Sequence, residues 1–251
     1  MRNMETSSTS SKITVIIPAY NEEENLPEVI KSVNTVLSGL KTPYTIIIMD
    51  NASTDATPEI VRQFQKENSN IIGIRNPINL GRNNSLLTGL KHVSSGMVCF
   101  IDADNQYSAK DICVLIEKIK NGADLVCGYR KQRNDKGYRK VLSFFFNTIN
   151  KTFFSIKMKD VNCGMKAMTH GSFVKCTPKF SKARWFFDTE LLVRAINEGL
   201  KIEEVEVQHF ERKKGTSKVN CFFVALETIW YCMLLKIDIS LKNLITYIEK
   251  R

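Results

Sequence analysis

The feature that most constrains the fold is a series of five short β-rich runs separated by stretches with helical apolar spacing. The runs cover residues 13–18, 44–50, 71–75, 97–102 and 123–128. Strands that alternate with helices predict an α/β fold, in which crossover helices flank a mostly parallel sheet. The chain has 251 residues, of which 43% are apolar, and this is enough to build one large α/β core.

In an open parallel sheet, ligands bind beyond the carboxyl ends of the strands, so the residues directly after each strand are the first candidates for a site. Three such loops are polar: PAYNE at residues 18–22, DNASTD at residues 50–55 and DADNQ at residues 102–106. Because the carboxyl ends of parallel strands share one edge of the sheet, we predict that the three loops lie together.

The third loop carries candidate cation ligands. Asp102, Asp104 and Gln106 alternate along an extended segment and therefore point the same way if strand geometry continues. Mg²⁺ prefers oxygen ligands and takes one or two carboxylates together with substrate phosphates. The alternative is that the acids cap the next helix, but Ser108 and Asp111 already have the spacing of a capping box. We therefore predict a divalent cation at Asp102 and Asp104.

The second loop allows two interpretations. Thr57 followed by Pro58 is typical of a helix N-cap and first helical position, which leaves Asp50 without a role in starting that helix. A carboxylate at a strand end can accept hydrogen bonds from a base or a ribose, which would make Asp50 a nucleoside ligand. Asp50 could equally belong to an ordinary surface turn.

Several motifs occur in a fixed order along the chain. They are PAYNE (18–22), DNASTDAT (50–57), NLGRNNSLLTGL (79–90), DADNQ (102–106), GYR (128–130), DVNCGMK (160–166), and Arg212 followed by GTSK (215–218). Together they resemble the family-2 glycosyltransferases, in the branch that contains dolichol-phosphate mannose synthase and bacterial polyprenyl-phosphate glycosyltransferases. The likeness extends from about residue 13 to residue 218.

The resemblance implies a GT-A fold, which is Rossmann-like and typical of nucleotide-diphospho-sugar transferases. It implies an inverting hexosyltransferase that uses a GDP- or UDP-sugar donor and needs Mg²⁺ or Mn²⁺. The implied nucleotide-binding residues are Pro18, Ala19, Tyr20, Glu22, Asp50 and Asp102, and the implied cation ligands are Asp102, Asp104 and Gln106. The implied phosphate-binding residues are Arg130, Arg139, Arg212, Ser217 and Lys218. Arginine suits this task because its planar fork grips phosphate oxygens and stays charged.

Two positions depart from the family's pattern. Asn51 stands where the family often carries a second acid, and residues 82–84 (RNN) stand where small residues are common. These departures concern the nucleotide pocket and not the fold.

The reaction requires stabilisation of the charge that develops on the departing diphosphate, a task for a cation at Asp102 and Asp104 and for Arg130. An acceptor phosphate would already be ionised near neutral pH. A sugar hydroxyl would need a general base, for which Asp160, Asp188 and Glu190 are candidates. Both acceptors remain open: a polyprenyl or dolichyl phosphate at a membrane surface, or a hydroxyl of a soluble or polysaccharide acceptor.

Two apolar, aromatic-rich segments, residues 141–158 and 221–235, favour the lipid acceptor. A helix of this composition with interspersed lysines can lie in a membrane interface or contact a small membrane-protein partner. It can equally be a helix buried in the core. The second segment spans 15 residues and contains Glu227, whereas a bilayer span needs about 20 apolar residues, so we expect no transmembrane helix.

The remaining expectations come from composition. A net charge of +10 favours anionic partners, but no nucleic-acid recognition motif accompanies it, and we expect no nucleic-acid partner. Seven cysteines without a metal-like grouping indicate a reducing cytosol, where the protein would be peripheral on a membrane. We expect a disordered tail at residues 1–11 and one domain at 12–218, divided into a nucleotide-binding half (12–128) and an acceptor-side half (129–218). Amphipathic helices would occupy residues 219–251.

Overall fold

A computed structural model describes residues 12–131, 148–154, 156–177, 186–212 and 221–249; of the side chains in the last range, it describes those of residues 226–242, 244 and 245. The predicted tail at residues 1–11 and the predicted phosphate ligands Arg139, Ser217 and Lys218 lie outside the described residues.

In the described ranges, seven strands form one sheet with the order β3-β2-β1-β4-β6-β5-β7. The strands are β1 (Ile13–Ala19), β2 (Tyr44–Asp50), β3 (Ile71–Arg75), β4 (Met97–Phe100), β5 (Leu125–Tyr129), β6 (Lys166–Thr169) and β7 (Ile202–Glu206). All neighbouring pairs are parallel except those made by β6, which runs antiparallel between β4 and β5. The predicted mostly parallel α/β sheet is confirmed. Strands from both predicted halves of the chain pair within it.

Helices cover both faces of the sheet. They are α1 (Leu26–Gly39), α2 (Thr57–Glu67), α3 (Arg82–Leu90), α4 (Asp111–Lys120), α5 (residues 148–154), α6 (His170–Lys175), α7 (Phe187–Asn197) and α8 (Cys221–Glu249). Alternate residues of β1 face opposite sides: Val15 belongs to the core cluster beneath α1 and α4, and Ile16 belongs to the cluster beneath α3 and α7. Because both faces are buried, the central strands are apolar on both sides, as parallel sheets require.

The helix α8 is amphipathic. Cys232 and Leu235 are fully buried in the second core cluster, whereas Leu226, Trp230, Ile237 and Leu244 are each more than half exposed. The core interpretation therefore holds for one face of α8, and the membrane-interface interpretation stays a prediction for the other. Among the helices in the described ranges, none is both long and apolar enough to cross a membrane.

Candidate active site

The first two polar loops lie together at the carboxyl edge of the sheet, as predicted. The backbone N–H of Asn21 donates to the Ser53 hydroxyl at 3.0 Å, and the Asn21 side-chain oxygen accepts from the N–H of Thr54 at 2.8 Å. Thr57 does not cap α2 as predicted, since α2 begins at Thr57 and the Thr57 hydroxyl accepts from the N–H of Glu22 at 3.0 Å. The hydroxyl that the sequence assigned to a cap thus joins the two loops.

Each of the three polar loops contains a non-glycine residue with left-handed backbone geometry: Asn21 (φ 53°), Ala52 (φ 61°) and Asn105 (φ 57°). Asparagine tolerates this region, but an alanine there stores strain. Strained backbone clusters at functional sites, where the surrounding structure holds it in place. In the described ranges, three of the four non-glycine residues with this geometry lie in these loops, and Lys41 is the fourth. This concentration supports the edge as the candidate site.

Arg212 joins the first loop to the third. Its Nη2 atom lies 2.5 Å from Glu22 Oε1, and its Nη1 atom lies 3.7 Å from Asp104 Oδ2. The Arg212 side chain is only 20% exposed. One arginine from the segment after β7 therefore neutralises acids that follow β1 and β4.

Asp102 and Asp104 lie next to each other at the end of β4. Asp102 Oδ1 accepts from Arg82 Nε at 2.6 Å, and Asp104 Oδ1 accepts from the N–H of Gln106 at 3.3 Å. Burial raises the pKa of Asp104 to about 7, and the neighbouring carboxylates of Asp102 and Glu22 add to the rise, which Arg212 only partly opposes. This group of acids carries more negative charge than its arginines offset.

The structure corrects the expected start of α4. Its N-cap residue is Lys110, with no side-chain cap, and the Asp111 carboxylate accepts from the N–H of Gln208 at 2.7 Å. The predicted capping box of Ser108 and Asp111 is therefore wrong, because Asp111 connects to the segment after β7. Neither Asp102 nor Asp104 caps α4, so the alternative role for these acids is excluded, and the cation at them stays a prediction.

Asp50 is buried and shapes its own loop. Its Oδ1 atom accepts from the N–H of Ser53 at 2.9 Å, and its Oδ2 atom pairs with Arg75 at the end of β3. Arg75 also donates to the Ser53 carbonyl at 2.9 Å. Of the other predicted nucleoside ligands, Ala19 is buried, and Pro18 and Tyr20 are partly exposed beside this loop.

Asn51, the first departure from the family pattern, lies in a buried amide network. Its side-chain oxygen accepts from Asn76 Nδ2 and from the N–H of Leu80, both at 3.0 Å, and its Nδ2 donates to Asn79 Oδ1 at 2.8 Å. An amide can donate and accept at once, whereas an ionised acid can only accept. An aspartate at position 51 would set its carboxylate against the oxygen of Asn79, which explains the asparagine.

Arg130 and Asp160 form a buried pair. Arg130 Nε lies 2.6 Å from Asp160 Oδ2, and Nη2 lies 3.0 Å from Oδ1, which is the bidentate geometry typical of arginine and carboxylate. Both side chains are less than one-tenth exposed. The predicted phosphate ligand and the predicted catalytic acid are thus each other's partners.

Sequence reasoning missed a second group of charges beside Asp102. Arg82 contacts Asp102 and also Asp188 Oδ2, at 3.2 Å from its Nη1 atom. Lys166, only 1% exposed, donates to Asp188 Oδ1 at 2.7 Å and to the carbonyls of Val161 and Cys163. The available signal was Lys166 itself, a charged residue within the apolar run GMKAM.

A comparison with protein families identifies the chain. The model described as "Glycosyl transferase family 2" matches residues 14–176, which span β1 to α6 and include the three loops. The chain belongs to glycosyl transferase family 2. It is accordingly a glycosyltransferase, as its motifs predict.

Solved structures with the same fold agree with this assignment. Glucosyl-3-phosphoglycerate synthase from Mycobacterium tuberculosis, in complex with Mn²⁺, UDP and phosphoglyceric acid, is 18% identical with a TM-score of 0.69, and the match covers 90% of this chain and 78% of that one. The same synthase with Mn²⁺, UDP-glucose and phosphoglyceric acid is 19% identical with a TM-score of 0.65, covering 88% and 80%. A further mycobacterial protein is 16% identical with a TM-score of 0.68, covering 90% and 74%. These similarities confirm the GT-A fold.

The acids after β4 of this glycosyltransferase fit a hard divalent cation. The set offers two carboxylates and no soft ligand. Burial raises the pKa of Asp104, and the nearby carboxylates of Asp102 and Glu22 add to the rise. Within the described ranges, no three His, Cys, Asp or Glu side chains group as a metal site, so substrate oxygens would complete the coordination. The Gln106 amide is buried and donates to the Phe210 carbonyl at 3.1 Å, so its part as a third ligand stays a prediction.

The raised pKa predicts pH-dependent cation binding. A cation needs ionised Asp104, and this carboxyl group is mostly protonated below a pKa of about 7. Protons therefore compete with Mn²⁺, and we expect affinity for Mn²⁺ to rise about tenfold from pH 6 to pH 8 and then level off. Titration of Mn²⁺ followed by electron paramagnetic resonance measures this affinity. Asp104→Asn should remove the dependence, and a flat wild-type profile would contradict the prediction.

Gly164 predicts a variant that folds but transfers poorly. A Cβ atom at this position would lie 2.1 Å from Asp102 Oδ2 and 3.1 Å from Arg82 Nη2. The carboxylate can swing aside, so Gly164→Ala should lower the free energy of unfolding by only about 1–2 kcal/mol. Displacing Asp102 should reduce turnover about a hundredfold, since misplacement by about 1 Å can cost that much. Gly39→Ala, whose Cβ meets nothing within 4 Å, is the control, and equal turnover in both variants would count against the assignment.

Proposed function

We propose that this glycosyltransferase moves a sugar, with inversion, from a nucleoside diphosphate sugar to a hydroxyl group of a soluble or polysaccharide acceptor. The donor's diphosphate would be held by Mg²⁺ or Mn²⁺ at Asp102 and Asp104. The observation that carries the proposal is that these two neighbouring carboxylates lie at the edge where the loops of β1 and β2 meet, with Arg212 joining Asp104 to Glu22. The related synthase binds Mn²⁺, UDP-glucose and phosphoglyceric acid, which fits a soluble acceptor better than a lipid.

The chain's own groups would share the work of charge stabilisation. The bound cation would supply a positive charge next to the departing diphosphate. Arg212, held between Glu22 and Asp104, adds a second positive charge on the same side. Charges fixed in place before the reaction stabilise the transition state without reorganisation. Asp50, Tyr20 and the backbone at Ala19 would line the nucleoside pocket.

Of the three candidate bases, Asp188 fits best. The side chain of Glu190 is 1% exposed and paired with Arg194, and that of Asp160 is 6% exposed and held at both oxygens by Arg130. The side chain of Asp188 is 12% exposed. Its oxygens also accept hydrogen bonds, from Lys166 and Arg82, but Arg82 links it to Asp102, so Asp188 is the candidate base beside the proposed cation. In the proposed step, the acceptor hydroxyl gives its proton to Asp188 while its oxygen bonds to the anomeric carbon. The bond from that carbon to the diphosphate breaks, and the electron pair leaves with the diphosphate.

A second candidate acceptor is a polyprenyl or dolichyl phosphate at a membrane surface. The exposed face of α8 favours it, because Leu226, Trp230, Ile237 and Leu244 form a stripe roughly 27 Å long by helical rise. Such a stripe can bind a lipid interface or a small membrane-protein partner. An ionised phosphate would attack the anomeric carbon without a base.

The test is a transfer assay with Mn²⁺ in which UDP- and GDP-sugars are screened against phosphoglyceric acid, simple sugars and a short polyprenyl phosphate. The proposal expects product only with a hydroxyl acceptor, and transfer to the polyprenyl phosphate alone would overturn it in favour of the second candidate. Asp188→Asn separates the two chemistries. At saturating Mn²⁺ it should lower turnover about a hundredfold with a hydroxyl acceptor and have little effect with an ionised phosphate.

A further inference from the structure

Arg82 places a positive charge at the start of α3, where the helix itself does not favour one. It is the first residue of α3 and follows Gly81, whose φ of 79° suits glycine. The positive end of the helix dipole lies here, so a cation at this position is electrostatically unfavourable. The side chain is nevertheless 22% exposed and held by several partners. The positive charge of Arg82 is therefore stabilised by those partners and not by α3.

The partners belong to two parts of the site. Arg82 Nε donates to Asp102 Oδ1 at 2.6 Å, and Nη1 donates to Asp188 Oδ2 at 3.2 Å. Its Nη2 atom donates to the Gly164 carbonyl at 3.3 Å. Asp102 follows β4 on the donor side, and Asp188 lies in the first turn of α7, 86 positions further along the chain. A single guanidinium bridges the two carboxylates.

Lys166 fixes the far end of the bridge. It is 1% exposed, donates to Asp188 Oδ1 at 2.7 Å, and is itself held by the carbonyls of Val161 and Cys163. Lys166 therefore fixes Oδ1 of Asp188, and Oδ2 is the oxygen whose position depends on Arg82. The charges alternate in the order Lys166, Asp188, Arg82 and Asp102. A change of charge at Asp102 therefore alters how strongly Arg82 pairs with Asp188.

We propose that Arg82 is a positioning residue that couples cation loading at Asp102 to the orientation of Asp188. This inference rests on the proposed function, in which Asp102 holds the cation and Asp188 accepts the proton. Arg82 divides its hydrogen bonds between the two carboxylates. When Asp102 is engaged by another positive charge, Arg82 is held more by Asp188, and the base is oriented only once the donor's cation is in place.

Two substitutions should change cation affinity in opposite directions. Arg82→Gln removes the positive charge that competes for Asp102, so affinity for Mn²⁺ should rise about three- to tenfold while turnover falls about a hundredfold. Asp188→Asn leaves Arg82 with Asp102 as its remaining carboxylate, so affinity for Mn²⁺ should fall by a similar factor. Arg82→Lys keeps the charge but cannot span both carboxylates, so its affinity should stay within about twofold of wild type while turnover still drops.

The experiment measures Mn²⁺ affinity by electron paramagnetic resonance, together with turnover and thermal unfolding, for wild type and these variants. Arg62→Gln, which removes an exposed arginine paired with Glu59, is the control and should change none of the three. Weaker Mn²⁺ binding in Arg82→Gln, or unchanged binding in Asp188→Asn, would overturn the proposal. If Asp188→Asn fails to fold, the lysine and glutamine variants decide, since equal affinities in both would overturn it.

The outcomes also separate this inference from the proposed function. A wild type that binds Mn²⁺ but transfers no sugar to a hydroxyl refutes the proposed function, and the opposite shifts in affinity still test Arg82. Absence of Mn²⁺ binding in the wild type overturns both. A merely structural role for Arg82 would lower thermal stability and weaken Mn²⁺ binding together, which is the opposite of the expected gain in affinity.

Discussion

Replacing Asp104 by alanine is expected to reduce cation-dependent sugar transfer about a thousandfold while leaving the fold intact. The variant loses one of the two carboxylates proposed to hold the cation, and loss of one electrostatic group in a preorganised site typically costs 10²–10³ in rate. The fold should survive because ionised Asp104 is disfavoured in the folded protein: burial and the acids nearby raise its pKa to about 7. Its removal therefore relieves the cost of burying this charge, and the repulsion from Asp102 and Glu22, in the cation-free protein.

The thermal stability of Asp104→Ala, compared with that of the wild type, is an independent test of the raised pKa. A carboxyl group whose pKa is raised on folding favours the folded state at low pH, and that contribution is lost as pH rises through about 7. Asp104→Ala should therefore match or exceed the wild type in thermal stability at pH 8 without added metal. Glu59→Ala, an exposed acid paired with Arg62, is the control for activity. Full transfer by Asp104→Ala, or by wild type in excess chelator, would refute the cation assignment.

Replacing Lys166 by methionine is expected to lower the free energy of unfolding by about 3 kcal/mol. Breaking a buried ion pair by removing one partner typically costs 3–5 kcal/mol because the other charge is left uncompensated. Here Asp188 keeps Arg82, which places the loss at the low end. The carbonyls of Val161 and Cys163 also lose their donor. Urea unfolding followed by circular dichroism measures the change.

The matched control is Lys118→Met. Lys118 is 43% exposed and pairs with Glu203, so its removal should cost less than about 1 kcal/mol. A loss for Lys166→Met no larger than for Lys118→Met would show that the buried lysine does not stabilise the segment before β6. Each variant removes one lysine charge that pairs with an acid, and the two lysines differ in burial. The difference between the two losses in unfolding free energy therefore measures the effect of burial.

The parallel part of the sheet could be predicted from sequence because its central strands are buried on both faces. The run at 44–50 matches β2 at both ends, since its apolar residues end where the polar loop begins. The run at 71–75 matches the edge strand β3, in which only Ile71 is buried. The meeting of the loops followed from the parallel direction of the strands. The position of Asp104 beside Glu22 and Arg212 agrees with that reasoning.

The charge pairs could not be predicted in the same way. β6 has four residues and includes Lys166, so it lacks the apolar run that revealed the other strands. Arg82 and Asp188 are separated by 106 positions, and nothing in either local sequence indicates that they meet. The capping box at Ser108 failed for a related reason: a backbone N–H from the segment after β7 satisfies Asp111. Long-range partners override local patterns.

The antiparallel insertion of β6 also dictates an order of assembly. Strands β1 to β4 pair with one another and are complete by residue 100, whereas the neighbours of β5 among the described strands are β6 and β7. During synthesis, about 40 residues must follow β5 before β6 emerges from the ribosome. Until then, the edge of β4 that pairs with β6 stays uncovered. We expect the β1–β4 unit to be the earliest stable nucleus, and slow, non-local closure around β6 to limit the folding rate.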